Sequence, residues 1–207
     1  MQILIGENNS KRVIGLVRNL GWGRMWVYRN IKNQEGERWG FDNGVFKIWD
    51  KKGPMSEGQF DEAGYIKRLQ RAKACGTPYL AVVPDLPAAG LDSLAFSLRW
   101  RARLENDWPW YLAVQDGMTP RDVEPHISKF DGIFVGGSTE FKSTLPAWVS
   151  FAHRHGKKCH YARCTSPKRL HWARSLGCDS VDSSQPLWSL QALRAFEHAS
   201  LQQELFS

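Results

Sequence analysis

Short runs of apolar residues alternate along the chain with longer segments in which apolar residues recur every three or four positions. The short runs fall at residues 3–6, 25–29, 39–42, 79–85, 110–115, 132–137, 159–164 and 180–183. Within each run the apolar residues are mostly continuous rather than alternating, a pattern typical of parallel strands buried on both faces. The sequence therefore predicts eight parallel strands.

The longer segments predict helices between these strands. They cover residues 61–74, 91–104, 144–155, 166–174 and 187–203. Thr144 is a candidate N-cap for the third helix. Ser166 and Pro167 open the fourth helix and Gly177 ends it. The connection between the second and third strands contains no convincing helix.

Eight strands with interleaved helices predict an α/β fold. We expect a compact, trimmed (β/α)8 TIM barrel that forms a single domain over residues 1–207. An open doubly wound sheet is the alternative architecture. The polar segment 47–58 contains Gly and Pro and follows a strand end, so we interpret it as a candidate lid or substrate loop.

The composition favours a folded domain with a polyanionic partner. Of the 207 residues 42% are hydrophobic and ten are tryptophan, which argues against a disordered chain. The formal net charge of +7 favours a polyanion, most often nucleic acid. No apolar run is long enough to span a bilayer and no signal peptide opens the chain, so we expect a soluble, cytoplasmic protein without a membrane partner.

The cysteines give no reason to expect a metal. Cys159 and Cys164 are separated by four residues, a poor match to the paired spacings of zinc sites, and no second pair follows. We expect neither a metal nor another cofactor, and we expect the thiols to be free.

Polar residues and glycines follow five of the predicted strands where they end. They are Asp42, Asp85, Gln115, the pair Gly136 and Gly137, and Asp182. An α/β barrel builds its active site at the carboxyl ends of its strands, because those ends meet at one face. The sequence therefore predicts an active site formed by these residues.

The five strand ends resemble, in order, motifs of the tRNA-guanine transglycosylases. Residues 41–46 are similar to the Asp-Ser-Gly-Gly-Phe segment of that family, and Asp85 falls where the family places a base-recognising aspartate. Residues 114–117 resemble its Val-Gln-Gly-Gly segment, and residues 135–138 resemble its Ile-Gly-Gly-Leu loop. Residues 177–182 resemble its Gly-Ile-Asp-Met-Phe-Asp segment, which bears the nucleophile.

The resemblance implies a role for each residue. Asp182 is the expected nucleophile and Asp42 its acid/base partner. Asp85 is expected to accept hydrogen bonds from N1–H and the exocyclic amine of a guanine-like base, while Gln115 or the Gly136-Gly137 backbone donates to O6. The residue types also fit the reaction itself: to break an N-glycosidic bond, one carboxylate attacks the anomeric carbon and a second moves protons.

The sequence departs from this family in two ways that change the expected substrate and metal content. The chain ends soon after Asp182, without the zinc-binding extension of the family, and the barrel is much trimmed. Small relatives of this kind resemble the phage and bacterial enzymes that insert 7-deazaguanine bases into DNA. The resemblance therefore implies that guanine in DNA is replaced by a free 7-deazaguanine base of the preQ0 type, with no zinc and with tRNA as a less favoured substrate. The target nucleotide would leave the duplex stack to react.

The stretch 157–174 is basic, with aromatic residues interleaved. It lies just before the expected nucleophile, which favours a surface for a nucleic-acid backbone. We expect four of its side chains to make those contacts: Arg163, Lys168, Arg169 and Arg174.

Three alternatives stay open on the sequence. The first is the same exchange on tRNA. The second is a phosphosugar-handling TIM-barrel enzyme that uses the Gly136-Gly137 loop to hold a phosphate. The third is a non-catalytic nucleic-acid-binding protein, against which the carboxylates at several strand ends argue, because acidic residues repel phosphates. The patterns do not set the oligomeric state.

Overall fold

The strands close into a barrel. In the computed structural model, which describes residues 1–8, 10–27 and 37–202, eight parallel strands pair in chain order and the first pairs with the last. They are β1 (Gln2–Gly6), β2 (Gly23–Trp26), β3 (Arg38–Phe41), β4 (Leu80–Val82), β5 (Trp110–Val114), β6 (Gly132–Val135), β7 (Lys158–Tyr161) and β8 (Ser180–Ser183). The predicted (β/α)8 barrel is confirmed, and the pairing of β1 with β8 excludes the open sheet.

Helices surround this barrel. They are α1 (Lys11–Asn19), α2 (Val45–Ile48), α3 (Glu62–Lys73), α4 (Gly90–Arg103), α5 (Pro120–Val123), α6 (Thr139–Lys142), α7 (Leu145–Arg154), α8 (Pro167–Ser175) and α9 (Leu190–Leu201), with short 3-10 turns at Glu57–Gln59, Glu124–Lys129 and Gln185–Leu187. Within the described ranges no helix is both long and apolar enough to cross a membrane.

The five predicted helices are present as α3, α4, α7, α8 and α9. Two predictions fall partly outside the described residues: the second strand was expected to reach residue 29 and the last helix to reach residue 203. The connection for which no helix was predicted, residues 30–38, also lies mostly there. The sequence pattern did not predict α1, in which only Val17 is fully buried, or α2, α5 and α6, which have four residues each.

The predicted helix ends are partly those of the structure. Ser166 caps α8, its Oγ accepting the N–H of Arg169 at 3.2 Å, and Gly177 follows that helix with a φ of 82° that only glycine adopts easily. Thr144 does occupy the N-cap position of α7, but its hydroxyl donates to the carbonyl of Phe141 instead of capping the helix.

The lower half of the barrel interior is filled by side chains. A buried cluster there consists of Leu4, Met25, Leu80, Val82, Tyr111 and Ala113. Two glycines make room for the largest of these side chains. A Cβ at Gly132 would lie 2.4 Å from the ring of Tyr111, and a Cβ at Gly40 would lie 2.5 Å from the sulfur of Met25. Because this half is packed solid, a ligand has space only above it, at the carboxyl ends of the strands.

Candidate active site

A cavity of about 850 Å³ opens at the carboxyl ends of the strands. Its wall includes residues that follow each of the eight strands. Seven predicted site residues line it: Asp42, Asp85, Gln115, Gly136, Gly137, Arg163 and Asp182. Its volume falls within the range of ligand pockets, roughly 300–1,000 Å³, so the cavity is large enough for a nucleobase with its sugar.

Asp182, on β8, is anchored through one carboxylate oxygen. Its Oδ1 accepts hydrogen bonds from Nε2 of His160 and from the backbone N–H of Arg163, each at 3.0 Å. No described residue hydrogen-bonds to Oδ2. The side chain is 17% exposed and lines the cavity. The two hydrogen bonds therefore fix the carboxylate and leave Oδ2 for a ligand.

His160, on β7, supports this carboxylate from inside the barrel. The imidazole is fully buried, its Nδ1 lies 2.8 Å from Oγ of Ser180, and its ring stacks on Phe134 at 4.7 Å between centroids. A neutral ring with its proton on Nε2 satisfies both contacts, since the Ser180 hydroxyl can then donate to Nδ1. Sequence reasoning gave His160 no role. Alternate residues of a strand share a face, and His160 pairs with Ser180, two residues before Asp182, so applying that periodicity would have found it.

Arg163 connects three walls of the cavity. Its backbone has a φ of 50°, in the left-handed region, which directs the N–H to Asp182. Its guanidinium donates from Nη2 to the carbonyl of Gly137 at 2.6 Å and lies 4.4 Å from the ring centroid of Phe46. Arg163 was predicted to contact a nucleic-acid backbone; the structure places it within the cavity itself.

Asp42 follows β3 and lines the same cavity. Its Oδ1 accepts the N–H of Gly44 at 2.6 Å. Desolvation, together with the charge of Asp182, raises the pKa of Asp42 to about 6, although the Gly44 hydrogen bond acts in the opposite direction. At neutral pH this carboxyl group can both hold and release a proton.

Asp85 follows β4 and is held by Asn43. The Nδ2 group of Asn43 donates to Oδ1 of Asp85 at 2.6 Å and to the carbonyl of Val83 at 2.9 Å. Desolvation raises the pKa of Asp85 to about 7, the Asn43 hydrogen bond opposes this, and the charge of Asp42 adds to it. Asn43 lies within the predicted motif of residues 41–46, but no role was predicted for it.

Gln115 lines the cavity wall, but its amide is already engaged. Nε2 donates to the carbonyl of Leu86 at 2.9 Å and to Oγ of Ser93 at 2.7 Å, and Oε1 accepts the N–H of Ala88 at 2.6 Å. An amide NH2 has two hydrogens, and both are used. The structure therefore does not support the predicted contact between Gln115 and O6 of a base. Instead, Gln115 holds the loop that carries Asp85.

The glycine loop after β6 has one backbone donor left. The N–H of Gly136 donates to the carbonyl of Val114 at 2.9 Å, and the N–H of Ser138 donates to Oδ2 of Asp116 at 2.7 Å. Among the described contacts, only the N–H of Gly137 remains without an acceptor. Although desolvation acts in the opposite direction, the Ser138 hydroxyl and N–H hold the pKa of Asp116 below its ordinary value.

This loop is poorly suited to a phosphate. A phosphate cradle needs several free N–H groups that converge, and two of the three here are occupied. Asp116, directly against Ser138, would also repel an anion. The contacts therefore weigh against the phosphosugar alternative, which depended on the Gly136-Gly137 loop.

The remaining predicted basic residues lie outside the cavity. Lys168 is exposed in the first turn of α8, and Arg169 approaches Oγ1 of Thr165, a cavity-lining residue, at 3.4 Å. Arg174 faces away from the site. Its guanidinium donates to three backbone carbonyls at the end of α9, those of Ala199, Ser200 and Gln202.

The nucleic-acid contact predicted for Arg174 is thus not supported. The last carbonyls of a helix lack intrahelical partners, and Arg174 supplies three of these with donors. The basic stretch also begins at the wrong end of the barrel, because Lys158 is the first residue of β7 and the cavity lies at the other end.

The segment 47–58, interpreted as a lid, forms part of the cavity wall. Trp49 lines the cavity beside Phe46. Farther along, Met55 is buried and its N–H donates to the carbonyl of Pro87 at 2.9 Å. The segment is therefore tied to the loop that follows β4.

Within the described ranges, no three His, Cys, Asp or Glu side chains cluster as a metal site would require. No protein-family model matches the chain, and no curated protein matches it significantly.

Proposed function

We propose that this protein replaces guanine in a nucleic acid, preferentially DNA, with a 7-deazaguanine base through a covalent aspartyl-glycosyl intermediate. One observation carries the proposal: Asp182, anchored through Oδ1 and open at Oδ2, shares a cavity with two carboxyl groups whose pKa values are raised to about 6 and about 7. A fixed nucleophile and neighbouring groups that titrate near neutral pH are what base exchange requires.

In the first step Oδ2 of Asp182 attacks C1′ of the target nucleotide. A bond forms between Oδ2 and C1′ while the bond from C1′ to N9 breaks, and its electron pair leaves with guanine. Asp42, in its protonated form, donates its proton to the departing base. Its raised pKa of about 6 keeps part of the population protonated near neutral pH.

The second step reverses the first with a different base. The Asp42 carboxylate takes the N9 proton of the incoming 7-deazaguanine, whose N9 then attacks C1′. The bond between C1′ and Oδ2 breaks and Asp182 is restored. Asp42 is again protonated, so neither step needs an oxidant, a reductant or a metal ion.

The base is expected to bind beside Phe46 and Arg163, which both line the cavity. The guanidinium lies 4.4 Å from the centroid of the ring, which leaves no room for a base between the two, so a planar base would stack on the pair from the cavity side. Asp85, oriented by Asn43, faces the cavity and can accept from N1–H and the exocyclic amine. The N–H of Gly137 then provides the donor for O6.

A base-exchange assay tests the proposal. Purified protein is incubated with guanine-containing DNA or tRNA and a panel of 7-deazaguanine bases, and the digested nucleosides are analysed by mass spectrometry. We expect incorporation into DNA, none with Asp182→Ala, and full activity with Asp179→Asn. Asp179 makes a matched control, because it lies on the same segment but at the opposite end of the barrel. There its carboxylate is hydrogen-bonded to the backbone N–H of Cys159 and to the His153 ring.

The outcomes of the assay test the substrate and the reaction separately. Incorporation into tRNA alone would keep the mechanism and replace the substrate. Absence of incorporation into either would refute base exchange by this protein. A covalent adduct between protein and nucleic acid, seen on a denaturing gel and missing in Asp182→Ala, would support the aspartyl intermediate directly.

A further inference from the structure

We propose that Trp188 is a stacking platform for an unpaired base of a single-stranded nucleic acid, adjacent to the nucleotide that enters the cavity. The inference rests on the proposed function and adds to it the form in which the nucleic acid is presented. Three observations support the inference: the exposure of Trp188 in the cavity wall, the ordered backbone turn that carries it, and the positively charged side chains near cavity-lining residues.

Trp188 is an exposed aromatic side chain in the wall of the cavity. All ten tryptophans lie within the described ranges, and Trp188 is the one that is exposed, with 69% of its surface accessible. It also lines the cavity. Large aromatic side chains are usually buried, and Trp is enriched at interfaces because its ring offers apolar area while its N–H stays in contact with water. The flat indole face suits any nucleobase, because every base has a π-face.

The indole is carried by an ordered turn. Trp188 ends the 3-10 turn Gln185–Leu187, and its N–H donates to the carbonyl of Gln185 at 3.0 Å. The N–H of Gln185 in turn donates to Oγ of Ser183, at the end of β8. The turn thus continues directly from the strand that bears Asp182. The backbone that carries the indole is therefore fixed, and only the two side-chain torsions of Trp188 lose freedom when a base stacks on it.

Positively charged side chains lie close to residues that line the same cavity. Lys168 is exposed in the first turn of α8, next to Arg169, which approaches the cavity-lining Thr165. In addition, Nζ of Lys51 lies 5.2 Å from the ring centroid of Phe46, another cavity-lining residue. Proteins that bind single strands combine cations along the backbone with aromatic side chains under the bases. A duplex conceals its base faces, so an exposed indole favours a strand that is already open.

Binding of short fluorescent oligonucleotides, followed by anisotropy without an incoming base, tests the inference. The probes are a single DNA strand with one guanine, the RNA of the same sequence, and the DNA duplex. We expect Trp188→Ala to weaken single-strand binding by about 5- to 100-fold and duplex binding far less, and Trp188→Phe to bind almost as well as the unaltered protein. The two single strands distinguish a DNA source from an RNA source.

Leu190→Ala is the matched control. Leu190 is 48% exposed, two residues farther along the chain, and does not line the cavity. Its replacement should leave all three affinities unchanged. An equal loss in Trp188→Ala and Leu190→Ala, or an equal loss for single strand and duplex, would overturn the inference. So would a change of sedimentation coefficient in Trp188→Ala, which would assign the indole to an interface between two copies of the chain.

The inference can fail separately from the proposed function. If base exchange proceeds and Trp188→Ala binds single strands normally, only the platform is refuted. If base exchange is absent while the selective loss of single-strand binding is observed, the platform stands and the enzymatic activity is refuted.

Discussion

The pKa of Asp85 predicts how tightly the free base binds at each pH. Asp85 can accept hydrogen bonds from N1–H and the exocyclic amine of a guanine-like base only as a carboxylate. Desolvation by the surrounding protein raises its pKa to about 7. Below that pH the carboxyl is mostly protonated, and binding must first remove the proton. We therefore expect the affinity for the base to rise as the pH increases through 7.

The size of the effect follows from the ionised fraction. With a pKa of about 7 the carboxylate makes up about 9% of the population at pH 6 and about 91% at pH 8. The apparent affinity should therefore rise about tenfold between these two pH values. Binding should also release about 0.9 proton per base at pH 6 and about 0.1 at pH 8.

Isothermal titration calorimetry with 7-cyano-7-deazaguanine and no nucleic acid measures both quantities. Repeating each titration in buffers of different ionisation enthalpy gives the number of protons released. Asp85→Asn should bind weakly and without this pH dependence. Asp179→Asn serves as the control, and its affinity should change with pH as that of the unaltered protein does.

Two results would contradict this reasoning. One is an affinity that stays constant or falls between pH 6 and pH 8. The other is a tenfold rise that persists in Asp85→Asn, which would assign the titration to another group, Asp42 being the nearest candidate because its pKa is raised to about 6.

Three further predictions concern stability and rate. The pKa of Asp42 is raised from 3.8 to about 6, so between these pH values the folded protein holds more protons than the unfolded chain and loses stability as the pH rises. In urea titrations, the free energy of unfolding of Asp42→Asn should therefore exceed that of the unaltered protein by about 1–3 kcal/mol at pH 8, with no gain at pH 4. A lower stability of Asp42→Asn at both pH values would contradict this. His160→Asn should lower kcat about 10- to 100-fold because Asp182 is misplaced, with little change in KM for DNA. His160→Gln, whose amide can donate in place of Nε2, should recover part of the lost kcat. A change confined to KM would argue against a role of His160 in positioning Asp182. Gly132→Ala should lower the free energy of unfolding by about 1–3 kcal/mol, because the new Cβ would meet the ring of Tyr111 at 2.4 Å, and an unchanged urea midpoint would refute the close packing.

The sequence predicted the barrel because most of its strands are short, mostly continuous apolar runs, and that signal arises from burial on both faces. It also indicated Asp42, Asp85 and Asp182, since residues at the carboxyl ends of barrel strands share one face whatever the loops do. All three line the cavity. Their roles in base exchange stay predictions.

The roles of Gln115 and Arg174 could not be read from the chain in the same way. Both are polar residues at positions where a ligand contact was plausible. The folded structure shows that the Gln115 amide instead hydrogen-bonds to Leu86 and Ser93, and that the Arg174 guanidinium hydrogen-bonds to a carbonyl at the end of α9. A hydrogen-bonding group has a limited number of donors, and sequence position does not reveal which partner uses them. Hydrogen-bond occupancy is a property of the tertiary structure.

The engagement of Gln115 has a consequence for engineering. The Gln115 amide hydrogen-bonds to the backbone of the loop between β4 and α4, whereas the side chain of Asp85 is oriented by Asn43. In the proposed function, base recognition by Asp85 and support of the loop by Gln115 therefore belong to different residues. Replacing Asp85 with a side chain that donates would present the inverse hydrogen-bonding pattern and leave the Gln115 contacts in place, while Nδ2 of Asn43 would lose its acceptor on residue 85. Under the proposed base exchange, this change would favour incoming bases with the inverse hydrogen-bonding pattern.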